Sequence, residues 1–101
     1  MAVTTNFDAS KSILTIKIAG RFDFGAHQDF RNAIDQIKLT TKQVVIDFYA
    51  TEYMDSSALG MLLVLRDKVS TSSQSIKLMN IRPEVRKILE IANFDKLFNL
   101  G

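Results

Sequence analysis

The stretches Val44-Val45-Ile46-Asp47-Phe48 and Tyr53-Met54-Asp55-Ser56-Ser57-Ala58-Leu59-Gly60 decide how this chain is read. The first is a nearly continuous β-branched run, which predicts a central strand covered on both faces. The second predicts a short loop and then a helix opened by Asp-Ser-Ser and continued by Met61-Leu62-Leu63-Val64-Leu65. Functional groups in an open α/β sheet collect beyond the carboxyl ends of strands, where helix N-termini point their N–H groups outward. An acid and two hydroxyls stand at such a place here. Either Asp55 or Ser56 can cap the helix by accepting a backbone N–H two or three residues on. Capping accounts for one of the three residues and leaves the other two to be explained.

Upstream, Val3, Thr5 and Phe7 alternate with Thr4 and Asn6. Leu14, Ile16 and Ile18 alternate with Thr15 and Lys17. Two such segments around Asp8-Ala9-Ser10-Lys11 predict an antiparallel hairpin, which Gly20 ends. Ala26, Phe30, Ala33, Ile34 and Ile37 keep the spacing of one buried helical stripe and place His27 outward. Downstream, Ile76, Leu78 and Met79 predict a fourth strand. Pro83 suits the first turn of a third helix buried through Val85, Ile88, Leu89 and Ala92, because its missing N–H is not needed there. Asn93 ends that helix, and Phe94, Leu97, Phe98 and Leu100 predict a last turn pinned to the core. The order ββαβαβα predicts one α/β domain over residues 1–101, with a mixed, mostly parallel four-stranded sheet covered by helices.

The second helix is apolar around most of its circumference. At about 100° per residue, Leu59, Leu62, Leu63 and Val69 gather on a core face, and Ala58, Met61 and Leu65 form a second strip beside it. That strip, with Ser57, is expected to dock a partner, Met61 being its adaptable member. The alternative is that the sheet or the last helix covers it.

The composition bounds the function. The 101 residues contain no cysteine, which excludes disulfides and thiolate chemistry. Thirteen basic residues are scattered among eleven acids, for a net charge of +2, without the clustered basic and aromatic residues of a nucleic-acid footprint. No basic region with an apolar run opens the chain, and no apolar run reaches the ~20 residues of a membrane span, so a soluble cytoplasmic protein without direct membrane insertion is expected. A serine nucleophile needs a base in reach, and the sole histidine, His27, lies on the outward side of the first helix. There is no Gly-x-Ser-x-Gly elbow and no glycine-rich phosphate loop. The chain is therefore expected not to be an enzyme and to hold no cofactor or metal. A serine that accepts a phosphoryl group fits better: phosphate adds close to two negative charges at a helix N-terminus that tolerates them, beside Asp55 and Asp23.

The chain also resembles a known family. Gly20-Arg21-Phe22-Asp23, Val45-Ile46-Asp47-Phe48, the signature Met54-Asp55-Ser56-Ser57-Ala58-Leu59-Gly60, and the stretches Leu78 to Leu89 and Phe94 to Phe98 are similar to the STAS domains of sulphate transporters and anti-sigma factor antagonists. The likeness is specifically to the small stand-alone antagonists. It implies that Ser56, directly after the signature Asp, is phosphorylated by an anti-sigma factor that is itself a serine kinase and supplies ATP and Mg. A metal-dependent serine phosphatase then resets the switch, with Ser57 the alternative acceptor and Asp23 lying beside the phosphorylation site. Ala58 stands where the family pattern has glycine, which favours helix. STAS domains also serve anion and lipid transport systems, usually without the phosphorylatable serine, so Asp55 and Ser56 favour the signalling branch.

Overall fold

A computed structural model describes residues 2–70, 74–98 and 100. The elements are β1 (Val3–Asp8), β2 (Ile13–Ile18), β3 (Gly20–Phe22), α1 (His27–Ile34), β4 (Gln43–Asp47), β5 (Thr51–Met54), α2 (Ser56–Ser70), β6 (Ser75–Met79) and α3 (Pro83–Ile91). Single 3-10 turns, Phe24–Ala26 and Phe94–Lys96, precede α1 and follow α3.

Strands β1-β2-β4-β6 form the predicted four-stranded sheet, with β1 antiparallel to β2 and the other neighbours parallel. The hairpin closes because the Asp8 carboxylate accepts from the backbone N–H groups of Ser10 and Lys11 and from the Ser10 hydroxyl. Strands β3 and β5, which the sequence reading missed, form a separate two-stranded parallel ladder. Gly20 does not simply end β2. Its φ of 74°, which glycine adopts without the steric cost of a Cβ, turns the chain out of the large sheet, and its N–H donates to the Ala50 carbonyl as β3 begins. Central strand β4 also stops sooner than expected: Asp47 accepts from the N–H of Tyr49, and the Thr51 N–H closes a turn onto the Phe48 carbonyl.

The core lies on one face of the large sheet. Leu14, Ile16, Ile18, Val44, Ile46 and Leu78 pack in one cluster with Phe30, Ala33 and Ile34 of α1, Val85 and Leu89 of α3, and the inner stripe of α2. Of the residues that alternate with them, Lys17 and Lys77 are exposed, Thr15 and Asp47 are half-buried and Val45 is buried. The expectation that β4 is covered on both faces is thus corrected. Val45 is buried but lies outside the core cluster that the three helices join, flanked in the sheet by Thr15 and Lys77. A two-sided reading of β4 came from its β-branched residues, which suit a pleated surface whether or not both sides are covered.

The rest of the helical reading holds in part: α1 ends at Ile34 before the stripe reaches Ile37, Ile88 and Ala92 are half-buried, Leu97 is 39% exposed rather than pinned to the core, and α2 is rotated. The α1 stripe Ala26, Phe30, Ala33, Ile34 and Ile37 is buried, and Pro83 opens α3. Asn93, left-handed at φ 62°, ends α3, and the Phe94 and Phe98 rings then stack 5.7 Å apart against the core. On α2 the inner stripe is Ala58, Met61, Leu62, Leu65 and Val69, while Leu63 and Val64 are exposed.

Candidate functional site

The site is built at the end of the small ladder. Phe22 and Met54 pair across β3 and β5 and are both buried, so the next residues of each strand, Asp23 and Asp55, emerge side by side. The Asp55 N–H donates to the Phe22 carbonyl at 3.3 Å, carrying the pairing to the point where the chains diverge. The Asp-Ser-Ser segment therefore stands at the end of β5, not of the central strand as expected from the sequence.

Each acid caps the helical turn that comes after it in the chain. Asp23 Oδ1 accepts from the Gly25 N–H at 2.9 Å and so opens the 3-10 turn before α1. Its Oδ2 lies 3.4 Å from Arg21 Nε, and the Arg21 guanidinium sits 4.3 Å above the Tyr53 ring. Both partners of that ion pair are solvated, so it orients Asp23 more than it stabilises the fold. Asp55 Oδ1 accepts from the Ala58 N–H at 3.0 Å, satisfying one of the unpaired donors of the first turn of α2. The same oxygen accepts from the Ser57 hydroxyl at 2.6 Å. The Ser57 hydroxyl first, and the Ala58 N–H second, hold the Asp55 carboxyl below its ordinary pKa, so it stays ionised at neutral pH.

The two serines, which the sequence left as alternatives, are therefore unlike. Ser57 is half-buried and its proton is committed to Asp55. Ser56, the first residue of α2, is exposed, and its hydroxyl makes no hydrogen bond among the described residues. The Ser57 hydroxyl points its proton at a carboxylate rather than at His27. His27 is half-buried instead of fully outward: its ring stacks on Phe24 with centroids 5.6 Å apart, and it lines a small groove between α1 and α2 with Phe30, Ile34, Met61 and Val64. No cluster of three or more His, Asp or Glu that could hold a metal ion occurs among the described residues.

The predicted docking strip is corrected. Ala58 and Leu65 are fully buried and Met61 nearly so, because α2 turns this strip onto the core together with Leu62 and Val69, leaving Leu59 half-buried at its margin and Leu63 exposed. A helix that is apolar nearly all round has no inside until its neighbours choose one. Of the four expected partner-binding residues, Ser57 alone stays at the surface, half-buried. The apolar surface beside Ser56 is made of Leu63, 41% exposed although the sequence reading set it on the core face, and of two residues that reading passed over, Phe24 at 72% exposure and Val64 at 52%, with Gly60 exposed between them and the serine. The signal was present in the spacing, since residues 56, 60, 63 and 64 share a helix face.

The STAS domain family model matches residues 4–101. A STAS-domain containing protein of Pseudomonas aeruginosa strain UCBPP-PA14 is 52% identical over the full length of both chains. Among solved structures, the chain is similar to the anti-sigma factor antagonist SpoIIAA in its unphosphorylated form, with TM-score 0.69 and 21% identity over 95% of this chain and 97% of that one. It is likewise similar to SpoIIAA of Bacillus in the phosphorylated form, with TM-score 0.67 and 19% identity over 94% and 86%. A sulfate transporter family protein of Wolinella succinogenes matches with TM-score 0.78 and 17% identity over 95% of this chain and 75% of that one.

Proposed function

We propose that this chain, which belongs to the STAS domain family, is an anti-sigma factor antagonist whose partner binding is switched by phosphorylation of Ser56. The observation that carries the reading is the inequality of the two serines: Ser56 offers a free, exposed hydroxyl at the first position of α2, while Ser57 is tied into the cap. The partner is an anti-sigma factor that is also a serine kinase and brings its own ATP and Mg; a metal-dependent serine phosphatase reverses the step. In the transfer the Ser56 oxygen bonds to the γ-phosphorus, the bond to ADP breaks, and the hydroxyl proton passes to a base of the kinase. The chain is the substrate and supplies no catalytic group.

The switch follows from electrostatics. Phosphate adds −1.5 to −2 charges. Backbone N–H groups at the start of α2 accept that charge while the domain is free in water. The ionised Asp55 beside it, and Asp23 across the ladder, oppose it. A kinase packed over Phe24, Gly60, Leu63 and Val64 excludes water from the same place, and there an uncompensated charge costs several kcal/mol. The unphosphorylated form therefore binds and displaces the kinase's target, and the phosphorylated form is released with its fold intact.

Incubation with the cognate kinase and Mg-ATP is expected to add one phosphate, placed on Ser56 by peptide mass spectrometry and lost in Ser56→Ala. Ser56→Asp is expected to weaken kinase binding and Ser56→Ala to keep it, measured by calorimetry. A phosphate on Ser57, no phosphate at all, or equal binding by both variants would overturn the switch. The second reading, a STAS subunit of a lipid or anion transport system acting as a non-phosphorylated interaction module, is favoured by the Wolinella likeness. It predicts no modification and co-purification with a permease.

A further inference from the structure

Strand β1 lies at the border of the large sheet, with β2 on one side and no described strand on the other. Its register to β2 is Val3↔Ile18, Thr4↔Lys17, Thr5↔Ile16, Asn6↔Thr15 and Phe7↔Leu14, and the Ala19 N–H donates to the Ala2 carbonyl at 2.7 Å. In an antiparallel ladder hydrogen-bonded pairs alternate with non-bonded ones, so Thr4 and Asn6 bond to β2. The N–H and C=O groups of Val3, Thr5 and Phe7 consequently point outward, along the free edge.

Folded proteins usually blunt such an edge with a lysine, a proline or a bulge. Lys77 does so on β6 at the other border, while Val3-Thr4-Thr5-Asn6-Phe7 carries none of these devices. Phe7 is 44% exposed. Beside the edge, on the helix-covered face, runs a groove of about 310 Å³ lined by Val3, Thr5, Asp29, Asn32, Ala33 and Gln36. The Thr5 hydroxyl donates to Gln36 Oε1 at 3.0 Å across its floor.

We propose that β1 is a self-association edge: two copies of this chain pair β1 antiparallel about a twofold axis at Thr5, and Phe7 of each copy enters the groove beside Val3 of the other. The outward backbone groups belong to residues 3, 5 and 7, so bonded pairing sets these opposite one another. Centring on Thr5 uses all of them. In that register Thr5 faces Thr5 and each Val3 faces a Phe7, the β-branched, aromatic and Thr–Thr pairings that stabilise antiparallel strands. The groove exceeds the roughly 150 Å³ that admits a benzene ring. Charge along the paired strands does not oppose a second copy: no ionisable side chain lies between Val3 and Phe7, and Asp8 falls opposite Ala2, while the acid that lines the groove, Asp29, is carried by α1. The paired strip is about 20 Å long and about 10 Å deep. That is far less than the ~800 Å² per partner of a standard interface, so the dimer is weak and concentration-dependent. This inference is independent of the Ser56 switch, which lies on α2.

Sedimentation velocity over a concentration series is expected to show monomer passing to dimer, with Phe7→Lys raising the dissociation constant at least about tenfold. Circular dichroism checks that this variant remains folded. Thr5→Cys, in a chain with no other cysteine, is expected to cross-link to itself under mild oxidation. Bonded partners lie about 5.5 Å apart at Cα, within the ~4.4–6.8 Å of a disulfide. Ala9→Cys, in the hairpin turn, is expected not to. Wild type that stays monomeric to about 1 mM, a dimer that Phe7→Lys leaves intact, or equal cross-linking by the two cysteine variants overturns the proposal; a monomer that takes up a foreign extended peptide at β1 counts as the first of these.

Discussion

The two sheets of this molecule divide its work. The β1-β2-β4-β6 sheet turns one whole face onto a single core, and Ile16, Val44, Ile46 and Leu78 there are wholly inaccessible. The β3–β5 ladder buries Phe22, Thr51 and Met54 and leaves Arg21, Glu52 and Tyr53 in solvent. It contributes less apolar burial, but it delivers Asp23 and Asp55 in register to the start of α1 and α2. Stability resides mainly in the first sheet, and the geometry of the site in the second. Under the proposed switch, a phosphate added at Ser56 would meet capping groups rather than core, so the fold would tolerate a charge that the proposed partner would not.

Substitutions can test that division. Truncating the central strand has the largest expected effect: Ile46→Ala leaves a cavity in the common core and should cost about 2–5 kcal/mol in urea unfolding. The junction between the two sheets comes next. Thr51 is fully buried, and its hydroxyl donates to the Ile18 carbonyl at 2.6 Å, the bond that ties β5 to the end of β2. Thr51→Val leaves that carbonyl without this donor and should cost about 1–3 kcal/mol. The midpoint of urea unfolding measures it.

Within the site, Asp55→Ala should lower the melting temperature by less than Thr51→Val does, since it removes a cap at a solvated helix end. Its pH dependence has a definite sign. The folded-state pKa of Asp55 is lowered, so its contribution is complete above the unfolded-state carboxylate pKa and is lost as pH falls through the lowered folded value. Wild type and Asp55→Ala should therefore differ fully at neutral pH and converge in acid below the ordinary carboxylate range. Gly60→Ala has the smallest expected effect and the opposite direction. A Cβ there meets nothing within 4 Å, so the exposed helical position should gain about 0.5–1 kcal/mol. If the same variant also weakens binding of the proposed kinase partner, Gly60 serves close approach of that partner rather than the fold of the free domain.

The legibility of each part followed its kind of signal. Period-2 alternation in Val3–Phe7 and Leu14–Ile18 identified the hairpin, and the i, i+3, i+4 stripe of α1 identified its buried face, because contrast between polar and apolar positions reports orientation directly. The Asp-Ser-Ser cap was legible for the same local reason: a capping carboxylate reaches only two or three residues along its own chain. Strands β3 and β5 were not. They are short, Gly-Arg-Phe and Thr-Glu-Tyr-Met, and their pairing links segments about thirty residues apart without a long periodic run in either. The direction of α2 was equally illegible, since Leu59, Leu62, Leu63, Val64 and Leu65 offer several apolar faces of similar merit.

By itself, then, the sequence determined the order of the large-sheet strands and the three helices, the strand alternation, and the adjacency of Asp55 and Ser56 at the start of a helix, all consequences of local periodicity and short-range hydrogen bonding. Tertiary structure alone decided which apolar strip of α2 faces the core, that the described helices cover one side of the sheet, and that Ser57 is tied while Ser56 is free. Those outcomes depend on contacts between residues far apart in the chain. They are settled by which packing buries the most apolar surface while leaving every polar group a partner.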